Sequence, residues 1–359
     1  MQNYRNSNLI IESNKVTPDK ITWKCPSNIA LIKYWGKYGL QLPRNPSLSF
    51  TLTHANTETS ITYAPKSEYG ISFDFYFHGN KRDDFKPKIQ NLLEKTIEIF
   101  PFLKQLHLTI ESTNSFPHSA GIASSASSMA AMALCLCSIE EKLFKPIGSQ
   151  EEFYKKASYV SRIGSGSACR SIFPIASIWG EFAEIKAASN EFGIPAENLI
   201  NPVFQTFHDD ILIVSKEEKT VSSTAGHGLM EGNIYAENRY QQAKTRMHFL
   251  LMAMKSGDLE TFGQIVEDEA LTLHALMMTS NPSFLLMRPG TLSIIERLRT
   301  FRRETKIPAY FTLDAGPNVH LLYPEQFSDV MDEFIRDELS KYCDNYVIKD
   351  MVGKGPELI

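Results

Sequence analysis

A carboxylate set among cations and small hydroxyl residues is the pattern in this chain with the most chemical content. Asp314 opens the run Asp314-Ala315-Gly316-Pro317-Asn318, and three distant segments supply its potential partners. Asn28 to Lys37 (NIALIKYWGK) brings Lys33 and Lys37. Gly164 to Arg170 (GSGSACR) brings Arg170 with the hydroxyls of Ser165 and Ser167. Pro117 to Ala126 (PHSAGIASSA) brings Gly121, Ser124 and Ser125. Small residues let a backbone approach phosphate oxygens, and hydroxyls donate to those oxygens or bind Mg2+. Lysines inside an apolar stretch must snorkel or pair with anions. The inventory suits two phosphate compounds held face to face, with the carboxylate as a reactant, and points to phosphoryl transfer.

Each segment alone also has a plainer account. An aspartate before Ala-Gly-Pro is an ordinary turn residue. The Pro117 segment could be a helix cap with close packing, and the Gly164 segment a surface turn. Neither is a known nucleotide fingerprint: no G-x-x-x-x-G-K-[ST] occurs, and Cys169 stands where a dinucleotide loop needs its third glycine. Trp35 reads as core. His208-Asp209-Asp210 and Glu267-Asp268-Glu269 lack metal-ligand spacing, and the second reads as a solvated helix face. His118, His227 and His274 read as structural, and Gly353-Lys354-Gly355 as a flexible tail.

The elements that must position these residues are legible in outline. Residues 1–20 are polar and expected to form a loose arm. Ser47 to Thr53 alternates as a half-buried strand does, as do Phe73, Phe75 and Phe77. Lys86 to Phe100 reads as a surface helix and Leu106 to Ser112 as a strand. Ser127 to Ile139 is apolar on nearly every face, so a buried helix is expected, with Gly121 and Ser124-Ser125 at an N-terminus able to receive an anion. A boundary is expected near Asn201 to Phe207. Beyond it come a strand at Asp210 to Ser215 and helices near Ala236 to Lys255 and Leu259 to Met278. In the second helix Phe262, Ile265, Val266, Leu273 and Leu276 share a stripe. Tyr310 to Leu313 should run as a strand into the Asp314 turn, with His320 to Tyr323 as its partner. Strands and helices mixed in two halves make an α+β protein.

Composition narrows the function further. A net charge of −4 opposes general nucleic-acid binding, so any cationic site must be local. The N-terminal residues carry no signal-peptide pattern, and the longest apolar run, Met129 to Cys137, is too short to span a bilayer. Five cysteines without disulfide or zinc spacing read as free thiols in a reducing cytoplasm.

Taken together the motifs resemble the mevalonate diphosphate decarboxylase family of the GHMP kinase superfamily. Pro26 to Lys37 fits P-x-N-I-A-x-x-K-Y-W-G-K, and Asn114 to Ala126 fits N-x-x-P-x-x-A-G-x-A-S-S-A. Gly164 to Ser171 matches G-S-G-S-A-C-R-S, Asp314 to Asn318 matches D-A-G-P-N, and Val221-Ser-Ser-Thr224 resembles a further family segment. Departures fall at Tyr38, Pro46, His118-Ser119 and Ser127-Ser128, outside the matched catalytic positions. The resemblance implies a GHMP kinase fold: a ribosomal protein S5 domain 2-like N-terminal domain (21–203) and a ferredoxin-like C-terminal domain (204–359).

It also implies ATP- and Mg2+-dependent decarboxylation of mevalonate 5-diphosphate to isopentenyl diphosphate, in a cytoplasmic homodimer. Asp314 would lie beside the substrate's tertiary hydroxyl, as proton acceptor or electrostatic stabiliser, with Lys33 nearby. Arg170 would contact the carboxylate and be oriented by Asn28. Tyr34, Lys37, Ser165 and Ser167 would bind substrate, mainly its diphosphate. Pro117, Gly121, Ser124 and Ser125 would line the ATP phosphates, with Ser125 reaching Mg2+. Sister activities on the same fold are a mevalonate 5-phosphate decarboxylase and a 3-kinase. A non-catalytic GHMP-fold binding protein would have been free to lose these charged groups.

Overall fold

Two β-sheets divide the labour of the computed structural model, which describes residues 4–12, 16–117, 124–217 and 223–359. The N-terminal sheet is built on β1 (Asp19–Ala30) and the long β2 (Ser47–Pro65), paired antiparallel. Beside β2 lies β4 (Leu106–Asn114), which pairs parallel with β3 (Ser72–Phe77). Helix α1 (Lys86–Lys95) intervenes between those strands. Next come α2 (Ser124–Leu143), α3 (Gln150–Gly164), β5 (Ala176–Trp179) and β6 (Gly193–Pro195). The C-terminal half holds β7 (Phe207–Leu212), α4 (Ala236–Ser256), α5 (Leu259–Met278) and α6 (Pro289–Thr305). It continues with β8 (Tyr310–Thr312), β9 (Val319–Pro324) and β10 (Val347–Ile348), giving a sheet in the order β8-β9-β7-β10. No described helix is long and apolar enough to cross a membrane.

Helix α2 is buried along most of its length, as an apolar surface on every face requires. It lies on the N-terminal sheet with Ile61, Leu108 and Ile110 beneath it in one core. Its Ser127 hydroxyl pairs with Thr57 Oγ1 at 2.6 Å, so the polar atoms in that contact are satisfied. A second core spans both halves, uniting Phe50 and Leu52 of β2 with Phe207 of β7, Leu250 of α4 and Phe262 of α5. The two halves are thus joined by a continuous apolar seam rather than by a linker alone.

Several expectations are corrected here. The arm is not loose where it is described: Leu9 is buried, Tyr4 donates to Glu152, and Ile11 exchanges two hydrogen bonds with the Gln105 side chain. Ser47 to Leu52 is buried at every position rather than alternately, so both faces of this part of the strand are covered. The helix expected over 86–100 stops at Lys95, where Thr96 turns its hydroxyl back onto Leu92 O.

The supposed tail is also ordered. Gly353 N donates to Thr51 O and Gly353 O accepts from Ile175 N, while β11 (Glu357–Leu358) pairs antiparallel with β1. A Cβ at Gly353 would fall 2.2 Å from Leu52 O, so the close backbone approach requires glycine. Residues 351–358 therefore bridge both sheets: Met351 and Val352 bond to His208 and Phe207 of β7, and Glu357–Leu358 join β1 of the N-terminal sheet. All five cysteines are free and buried.

Candidate active site

The Lys33 segment leaves β1 as an irregular run held on both sides. Leu31 N and Ile32 N donate to Leu48 O, and Ser47 donates to Ile32 O at 2.5 Å. Lys33 N donates to Glu269 Oε2 at 2.9 Å, while Lys33 O accepts from Asn45 Nδ2 at 3.1 Å and Arg239 Nη2 at 3.3 Å. The lysine side chain is 2% exposed, with Nζ 3.4 Å from Asp314 Oδ1. Burial lowers the Lys33 pKa, and the Asp314 carboxylate opposes that shift. Further along, Gly36 adopts φ +93° and packs so closely that a Cβ would lie 2.3 Å from Tyr240 Oη.

Asp314 sits in a turn just beyond β8. Its carbonyl accepts from Gly316 N at 2.7 Å and from His274 Nε2 at 3.1 Å. Thr291 Oγ1 donates to Pro317 O and Asn318 Oδ1 accepts from Ser215 N, which fixes the rest of the turn. The carboxylate meets Lys33 across the junction between the halves, which an incidental turn aspartate would have no reason to do.

The Gly164 segment is not a surface turn. Gly166–Ile172 forms a 3-10 turn after α3 with most of its residues buried. Arg170 is 2% exposed, donates to Ser47 Oγ and lies 5.9 Å from the Trp179 ring centroid. Burial lowers the Arg170 pKa, and its field includes Asp314. Asn28 bonds differently from expectation: its Nδ2 donates to Ser171 Oγ at 2.7 Å and Ser167 O at 3.2 Å, with no bond to Arg170. Its role is to brace the 3-10 turn that carries the arginine. Asn28 Oδ1, Arg170 Nε and Tyr34 Oη are all buried without a hydrogen-bond partner. Buried polar atoms are normally satisfied, so these three keep bonding capacity that a polar ligand could use.

Tyr34 Oη also crowds Gly166, where a Cβ would approach within 2.7 Å. His227, expected to be structural, packs between Tyr34 and Trp35 at centroid distances of 4.3 and 4.6 Å. Its Nδ1 accepts from Gly36 N at 3.0 Å. Burial pushes the His227 pKa down to about 3, helped by Lys37 and Arg170. The ring is therefore neutral with its proton on Nε2, a donor beside cations. Lys37 Nζ bonds Gln41 Oε1 at 3.0 Å, and burial followed by repulsion from Lys95 lowers its pKa. Ser165 caps α3 through its backbone N, and Ser167 accepts from Asn28 through its carbonyl.

Ser124 and Ser125 open α2 beside a cavity walled by Phe75, Phe77 and Phe85, with Lys88 and Asn114 also lining it. The Phe85 ring stacks on both other phenylalanines, at 5.6 and 5.5 Å. Lys88 Nζ donates to Ser125 Oγ at 2.9 Å, and burial lowers the Lys88 pKa. Pro117 is described and half-buried, while His118, Gly121 and Val221 lie outside the described residues. The aromatic cavity and the buried Lys33–Asp314–Arg170 cluster are lined by separate residues, the first by aromatic and hydroxyl side chains and the second by charged ones.

Sequence inspection missed Glu269 and Arg239. Glu269 was expected on a solvated face but is fully buried, chelated by Arg239 at 2.5 and 2.8 Å and contacted by Arg246 at 2.9 Å. Burial pushes its carboxyl up, but Arg239, the Lys33 N–H and Arg246 outweigh it and hold the pKa low. A signal existed: Glu269 falls three residues after Val266 and four before Leu273, on the apolar stripe itself. His208, Asp209 and Asp210 make pairs with Glu325, His320, Tyr323 and Lys349, and no metal-binding group of three or more His, Cys, Asp or Glu occurs among the described residues.

Fold and family-type motifs together define an enzyme of the GHMP kinase superfamily, with an α+β half on each side of the Lys33–Asp314 contact. Residues 25–190 match the diphosphomevalonate decarboxylase-like N-terminal domain, and residues 210–358 match the mevalonate 5-diphosphate decarboxylase C-terminal domain. The diphosphomevalonate decarboxylase of Saccharomyces cerevisiae is 32% identical over 83% of this chain and 76% of its own length. The chain belongs to the diphosphomevalonate decarboxylase family. Among solved structures, mevalonate diphosphate decarboxylase from Staphylococcus aureus superposes with a TM-score of 0.81 at 27% identity, covering 96% of this chain and 98% of its own. MDDEF in complex with MVAPP, AMPPCP and magnesium gives 0.79 at 29% identity, covering 96% and 99%.

Proposed function

We propose that the chain catalyses ATP-dependent decarboxylation of mevalonate 5-diphosphate to isopentenyl diphosphate, releasing ADP, phosphate and CO2. The observation that carries this reading is the buried approach of Lys33 to Asp314, with Arg170 in the same field. A tertiary alcohol is a crowded, weak nucleophile, so positioning and charge neutralisation must supply most of the rate. Asp314 receives the hydroxyl proton or steadies positive charge at the carbon, and Lys33 faces the negative charge that gathers on the oxygen. Transfer of the phosphoryl group turns that oxygen into a leaving group. Cleavage of the C–O bond releases phosphate, and the electrons of the bond to CO2 become the new double bond.

Arg170 binds the substrate carboxylate, held in register by the Asn28-braced turn. Tyr34, Lys37, His227, Ser165 and Ser167 provide donors for the diphosphate. The aromatic cleft of Phe75, Phe77 and Phe85 takes the nucleoside, and Lys88 with Ser124, Ser125 and the Pro117–Gly121 loop takes its phosphates. Such a donor set fits Mg2+, which keeps several waters and binds largely through phosphates, with Ser125 as a protein oxygen. When bound, the ion neutralises charge along the phosphate chain. The free cysteines support a cytoplasmic setting, and homodimerisation follows from the family resemblance; sedimentation would test the latter.

The decisive assay follows ADP and CO2 together with mevalonate, its 5-phosphate and its 5-diphosphate. Equal release of both products with the diphosphate is the expected result. ADP without CO2 would mean a 3-kinase, and preference for the monophosphate a sister decarboxylase. Asp314→Asn should lower turnover by about 10²-fold or more while ATP affinity stays within a few-fold. Near-normal turnover in that variant would sink the assignment.

A further inference from the structure

The two reacting groups come from opposite halves of the chain, yet a single helix touches the main chain of both. Glu269 on α5 accepts from Lys33 N at 2.9 Å, and His274 on the same helix donates to Asp314 O at 3.1 Å. The two residues are five positions apart, which is about 7.5 Å along a helix axis. Both are buried, at 0% and 1% exposure. Arg239 of α4 closes the arrangement from the other side: it chelates Glu269 and donates to Lys33 O, so both backbone polar groups of Lys33 report to one ion pair.

These contacts do not touch the reacting atoms. A buried bidentate pair is costly to desolvate and gives little net stability, so a hydrophobic pair would serve the core as well. What it supplies here is directional: the carboxylate points one oxygen at Lys33 N and leaves that side chain aimed at Asp314. The paired contacts at Lys33 and Asp314 then fix the two backbones relative to one rigid rod.

Resting on the reading of Lys33 and Asp314 as catalytic, we propose that α5 is the gauge of this active site. Glu269, Arg239 and His274 act as positioning residues that set the approach of Lys33 Nζ to the Asp314 carboxylate across the junction. Their contribution is to the rate of the chemical step rather than to the binding of either substrate.

The test uses the full-length protein and pairs His274→Phe with His274→Gln. Gln can return an N–H near the position of imidazole Nε2, whereas Phe keeps the bulk and removes the donor. His274→Phe should lower kcat by about 10- to 10²-fold, the scale of a 1 Å misplacement. KM for the organic substrate and for ATP should stay within about threefold of wild type, and His274→Gln should recover most of kcat.

Glu269→Gln serves as the second probe, with circular dichroism checking that it folds and active-site titration giving kcat per competent site. Wild-type kcat per competent site in both His274→Phe and Glu269→Gln would overturn the proposal, as would a loss seen only in KM. If wild type itself releases neither ADP nor CO2, the assigned activity fails; if wild type turns over and the variants match it, only the gauge fails.

Discussion

At the scale of single residues, burial decides which charges this site can use. Lys33 is nearly inaccessible and its pKa is depressed by that burial, so the alkaline limb of kcat should fall below the ordinary lysine range of about 10.4. Lys33→Arg, which stays protonated across the accessible range, should abolish that limb while lowering the rate through its different geometry. A pH–rate profile of both proteins checks this; an unchanged limb in the variant would assign the ionisation elsewhere. His227 gives a stability prediction. An unfolded chain takes up a proton near pH 6.5, whereas the folded ring does so only near about 3. Between those values the unfolded state binds more protons, so stability falls as pH drops through the window. Urea denaturation from pH 7 to 4 should show this slope, and His227→Gln should flatten it.

At the scale of elements, α5 carries the most consequence. It packs against β8 so closely that a Cβ on Gly263 would lie 2.0 Å from the Tyr310 ring, and β8 leads directly into the Asp314 turn. Gly263→Ala should therefore destabilise the protein by about 1–3 kcal/mol, read as a lowered Tm, with activity falling further than stability alone explains. The limits of α4 and α5 were close to legible in the sequence, since apolar periodicity of 3.6 persists over their length. The partners of Lys33 were not, because a glutamate on an apolar stripe looks the same in sequence whether it faces solvent or a buried arginine from another helix. The Gly164 segment shows the same limit: small residues permit a surface turn or a buried one, and only the cover of Trp179 and β5 settles it. Helix α1 ended early because a threonine hydroxyl returned to the helix carbonyls, a local competition that hydrophobic patterning does not register.

At the scale of the whole molecule, the last segment returns to the N-terminal sheet, a contact that a division of the chain into consecutive halves does not convey. Gly353 and Lys354 invite a tail assignment on composition, since flexibility and close backbone approach both call for glycine. Asp350 begins that return, its carboxylate accepting from Thr53 N, His54 N and Ala55 N at 2.6 to 2.9 Å. Asp350→Ala would leave those donors without their acceptor and should cost about 3 kcal/mol in chemical denaturation, with both halves losing structure in one transition. Trp23 pairs with Leu358, so the first strand is completed by residues at the far end of the described chain. Contacts of such sequence separation slow folding, because the intervening chain must be closed before they form. During synthesis the edge of β1 therefore waits, unpaired, until Glu357 and Leu358 have emerged. An open strand edge is a place for wrong partners, and the nascent enzyme should depend on chaperones chiefly in that interval.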